Sequence, residues 1–185
     1  MKKMLLYGLD DHSADKTQIL LEQNGIAAYI VGDDVLDQPL SALLKAEEDF
    51  DGRHQAFDCS FMVFDGIDVN ELIRTLSYLR EHGAEFDGVK IMRTDANSDW
   101  VLKELFTHTR REYELARKAM ILQEMIASCN GINLTDADTK AKTEFKKALM
   151  EAFMLLKSGQ YTDEAMDRAI RNLSSSMKGV TKLYN

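Results

Sequence analysis

Seven aspartates stand where short apolar runs end. Asp10 and Asp11 follow residues 4–7, Asp33 and Asp34 follow residues 27–31, Asp65 and Asp68 follow residues 61–64, and Asp95 follows residues 89–92. Mg²⁺ is a hard ion that takes oxygen ligands, and open α/β sheets bind ligands at the edge where parallel strands end. Asp10, Asp11 and Asp65 are therefore the candidate cation set. Asp after a strand also caps the next helix and makes turns, which explains the same residues without a ligand. Both readings stand.

A second cluster, Asn97, Ser98 and Trp100, opens the longest helical segment. Free backbone N–H groups at such a start attract anions. The structural alternative is a cap followed by a buried aromatic plug, and Asp99 at the first helical position already supplies the favoured negative charge. The histidines offer less. His12 and His54 fall in expected loops, His82 precedes a helix-stopping Gly83, and His108 sits between Glu104 and Glu112 at helical pairing distance. No two lie at a metal-ligand spacing. Cys59 and Cys129 are isolated, too few for a disulfide framework or a four-thiolate site. The chain has no phosphate-binding glycine loop, nucleophile elbow or zinc-protease motif. No catalytic residue is assigned, and Mg²⁺ is the one cofactor under consideration.

The elements that must hold these residues alternate through the first half. Residues 4–7, 27–31, 61–64 and 89–92 read as strands, and residues 61–64 are apolar on both faces, as a central strand is. Residues 13–24 form a helix stopped by Gly25, and Leu36, Leu40, Leu43 and Leu44 recur at helical spacing. An acidic loop over residues 47–59 is expected to be mobile. Asp68 and Glu71 fit a capping pair for a helix striped by Val69, Leu72, Ile73, Leu76 and Leu79. The order β-α-β-α-β-α-β builds a small four-stranded, mostly parallel sheet with flanking helices. A ferredoxin-like sheet is the alternative if residues 36–46 are an insertion.

The second half is helical: a long helix over 98–130, then helices over about 135–157 and 162–178. The domain division falls at 1–97 and 98–185. Charge divides there too, at −10 for 1–97 and +2 for 98–185. An acidic first half repels phosphate backbones, so no nucleic acid is expected. At 45% hydrophobic and 29% charged the chain is globular, and no apolar run reaches the ~20 residues that span a bilayer. The stretch after Lys2 and Lys3 is too short for a signal peptide. A cytosolic protein without membrane contact is the expectation.

Phe64-Asp65-Gly66, the helix over 69–82, Val89-Lys90-Ile91, and Thr94, Asn97 and Trp100 together resemble a bacterial family, domain of unknown function 3783. The resemblance is strongest over 61–113 and implies a strand-helix-strand architecture without catalytic residues. Asp95 stands where the family commonly has Pro. Asp10, Asp11 and Asp65 are also similar to the acidic pocket of receiver domains, but no Met-Pro follows Asp65 and no fifth strand ends in Lys. The functional expectation is a non-catalytic module for protein interaction, self-association first. A homodimer is expected to form through the tail and residues such as Met120, Met154 and Met166, because Met serves adaptable surfaces as well as cores. A Mg²⁺- or phosphate-ligand domain is the competing expectation.

Overall fold

The computed structural model describes residues 1–50, 56–135 and 137–181; the middle of the acidic loop, His54 included, lies outside them. Four strands form one sheet: β1 (Lys3–Tyr7), β2 (Ala27–Ile30), β3 (Phe61–Asp65) and β4 (Val89–Met92). Their order is β2-β1-β3-β4. β1 runs parallel to β2 and β3 parallel to β4, while β1 and β3 pair antiparallel, with Lys3 opposite Asp65 and Tyr7 opposite Phe61. Two of three pairings are parallel, so the sheet is mixed and mostly parallel. The ferredoxin-like alternative is not adopted, because the helix after β1 and the helix after β3 each lead to a strand that is a direct neighbour. The expectation that all strand ends share one edge is also corrected. β1 and β2 end at one edge, β3 and β4 at the other.

Period-two alternation sorts the side chains into two layers. Met4, Leu6, Ala28, Met62 and Phe64 face Leu20 and Leu21 of α1 (Asp11–Gln23) and Leu79 of α3 (Val69–Glu81). Leu5, Tyr7, Phe61, Val63, Val89 and Ile91 face α2 (Leu40–Ala46) and the first turns of α4 (Leu102–Ser128). Phe61 and Phe106 stack there with centroids 4.0 Å apart.

The two β-α-β units repeat one another at a distance of 58 residues. Gly8 and Gly66 leave the strands at φ 76° and 69°, and Gly25 and Gly83 leave the helices at 73° and 70°. Asp10 and Asp68 cap helices of 13 residues each, accepting from the backbone N–H three residues on. Thr17 and Thr75 are buried at matching turns, and Leu21 and Leu79 at matching core positions.

Several local expectations shift. The long helix begins at Leu102 rather than 98, because residues 93–101 are spent on turns and a bridge between Pro39 and Val101. His12 lies inside α1, not in a loop. The chain divides into compact units of 1–110 and 111–185, a boundary inside α4. In the second unit, α5 (Thr139–Ser158) is capped by Asp138 and so starts a few residues later than the expected 135. The last helix, α6 (Asp163–Thr181), runs through Ser174–Ser176 and Gly179 and past the expected end at 178. Leu122, Phe145, Ala152, Met166 and Leu173 form this unit's core.

Candidate functional site

The two sheet edges carry different chemistry. Where β1 and β2 end, the Tyr7 hydroxyl donates to Asp33 Oδ1 at 2.5 Å. Asp33 also accepts from the Ala56 backbone N–H at 3.3 Å, tying down the chain that enters β3. Burial, then the hydrogen bond and charge of Asp33, raise the Tyr7 pKa well above its ordinary value. The hydroxyl is thus held neutral as a donor. Asp10 lies on the same edge with its carboxylate turned to the Ser13 N–H at 3.0 Å. Bonding to Ser13 holds its pKa below the usual carboxylate range. Asp11 follows as the first residue of α1, exposed.

Where β3 and β4 end, Asp65 pairs with Arg93 at 3.0 Å. Arg93 turns its other donors, Nε at 3.3 Å and Nη2 at 3.0 Å, to Ser98 Oγ, and Ser98 is one of the few buried polar residues. Asn97 clasps the turn: its Oδ1 accepts from the Thr94 N–H at 2.7 Å, and its Nδ2 donates to the Met92 carbonyl at 3.0 Å. The next residues hold α2, because the Leu40 N–H donates to the Trp100 carbonyl and the Ser41 N–H to that of Ser98, each at 2.9 Å. Trp100 is not the buried plug expected from the sequence. It is 37% exposed and meets His108 edge-on at 5.3 Å. Thr94, Asn97 and Trp100 therefore build a turn, and Asp99 stands before the helix rather than at its first position.

Asp10 and Asp11 do not meet Asp65. Asp65 lies opposite Lys3, and the rise from Lys3 to Tyr7 alone is ~13 Å at 3.3 Å per residue, before the chain reaches Asp10. One ion holds its oxygens at ~2.1 Å. Among the described residues no group of three or more His, Cys, Asp or Glu could hold a metal ion. The Tyr7–Asp33 pair and the Arg93 bridge are the polar contacts that sequence reading misses. Arg93 one residue beyond an apolar strand was the available signal for the bridge.

The second unit offers surfaces instead. Among the described residues a depression of about 650 Å³ lies between α4 and α5, lined by Ile126, Lys146, Leu149, Met150 and Phe153. A second, of about 500 Å³, continues from Ile126 and Phe153 to Leu156 and Lys157. Of their lining residues Met150 and Phe153 are more than half exposed, as are Met120 and Met154 outside the two linings. Met166 is fully buried, which removes it from any surface role.

Compared with known proteins, residues 60–115 match the family model described as domain of unknown function (DUF3783). The match takes in β3, α3, β4, the Arg93–Asn97 turn and the start of α4, and leaves out the first β-α-β unit and the two last helices. No curated protein and no solved structure matches the chain.

Proposed function

We propose that the chain is a non-catalytic protein-interaction module whose helical unit supplies the contact surface. One observation carries this reading. Met150 and Phe153 are each more than half exposed and line one depression, and contiguous apolar surface of that kind usually marks an interaction site. Carboxylates committed to caps and to Arg93 speak against the competing cation reading. A cytosolic setting belongs to the proposal, and no helix among the described residues is long and apolar enough to cross a membrane.

Self-association is the form to test first, because a two-fold interface uses one patch twice. Met120 and Ile121 favour it, exposed on α4 outside the lining of the two depressions. Light scattering on the full chain should show a dimer at micromolar concentration, and Met120→Lys with Ile121→Lys should return it to monomer. A full chain that stays monomeric throughout that range ends the homodimer reading.

A further inference from the structure

The two depressions between α4 and α5 join through Ile126 and Phe153 into one groove. We propose that this groove docks an amphipathic helix of a partner protein that carries acidic residues in its first and last turns. The proposal rests on the interaction reading and names the partner's chemistry.

Charge selects the partner. Among the described residues the charged side chains lining the groove are Lys146 at one end and Lys157 at the other. Eleven residues of α5 separate them, ~16 Å at 1.5 Å per residue. Between them Leu149, Phe153 and Leu156 make an apolar wall. An entering helix covers that wall with residues at i, i+3, i+4 and i+7, and carboxylates in its end turns reach both ammonium groups. Met150 lends the rim an unbranched, adaptable side chain.

Size and symmetry argue against a second copy in the same place. The groove is about three helical turns long, short of the ~20–30 residues per side that a standard interface uses. Antiparallel docking of α5 on its own copy, centred on the groove, sets Lys146 against Lys157 of the other molecule, and like charges so placed are repelled. Concavity argues against a membrane. Leu149 and Leu156 are only partly exposed, recessed from a flat surface yet reachable by a helix laid into the groove.

Two synthetic helical peptides of about 14 residues test this. Both carry Leu at i, i+3, i+4 and i+7; one has Glu in its end turns, the other Lys. By fluorescence anisotropy with the full chain at low salt, the Glu-ended peptide should bind at least about tenfold tighter. The difference should shrink as added salt screens the charges. Lys146→Glu with Lys157→Glu should reverse the order, and Phe153→Asp should weaken both peptides. These side chains are exposed, so the variants should keep the parent circular dichroism, which is measured alongside. Equal affinity for the two peptides, or binding of neither, overturns the proposal. So does binding to anionic phospholipid vesicles in preference to the Glu-ended peptide. A chain that dimerises in light scattering yet binds neither peptide ends this inference and leaves the interaction reading standing.

Discussion

Asn97 and Arg93 show how a family-like signature resolves into hydrogen bonds. Asn97 supplies one acceptor and one donor to backbone groups that the turn after β4 would otherwise strand. Arg93 joins Asp65 to Ser98 and so ties the end of β3 to the segment that seats α2. Tyr7 and Asp33 do the corresponding work at the other edge, with a pH dependence. Tyr7 keeps its proton in the folded state at pH values where the unfolded chain releases it. The stability this contributes is therefore fully present below about pH 10, the ordinary tyrosine pKa, and is lost as pH rises beyond it. Thermal melts of the parent should fall more steeply above about pH 10 than those of Tyr7→Phe. Parallel profiles for the two proteins would show that Tyr7 titrates as an ordinary surface tyrosine.

Between elements, the repeat makes a sharper prediction than either half alone. Gly8 and Gly66 share a left-handed conformation and a close neighbour: an added Cβ lies 3.0 Å from the Cys59 carbonyl oxygen in one case and 3.0 Å from the Met1 carbonyl oxygen in the other. Gly25 shares the conformation but faces open space. Gly25→Ala should thus cost the conformational term alone, roughly 1 kcal/mol. Gly8→Ala and Gly66→Ala should each cost more, about 2 kcal/mol or above, because backbone must also shift. Urea unfolding of the three variants decides it. Similar losses at all three would show that the strands absorb the added carbon without resistance.

Over the whole chain, charge is the property that distinguishes the units: residues 1–110 carry −10 and residues 111–185 carry +2. Surplus negative charge on a compact body destabilises it by self-repulsion. Raising ionic strength from about 0.01 to 0.15 M shortens the screening length from ~30 to ~8 Å, so the melting temperature should rise. Mg²⁺ at matched ionic strength should do no more than NaCl, since Asp10 and Asp11 are kept apart from Asp65. An extra stabilisation saturating at millimolar Mg²⁺ would restore the cation reading.

Local signals in the sequence make much of this protein legible. The Asp68–Glu71 start of α3, its stop at His82-Gly83, and the doubly buried run at 61–64 depend on neighbours a few residues away. The repeat is equally present, in Gly8, Asp10, Thr17 and Gly25 against Gly66, Asp68, Thr75 and Gly83. Too few residues coincide for it to stand out without the matching backbone. The direction of β3 beside β1 carries no such signal. It follows from pairing between strands more than 50 residues apart, and it alone decides that Asp65 meets Arg93 rather than Asp10. The fate of the methionines is also settled in three dimensions. Met166 and Met150 both lie on apolar helical stripes, but the stripe is wider than the face its neighbours cover. Packing of α4, α5 and α6 buries the first and leaves the second at the surface.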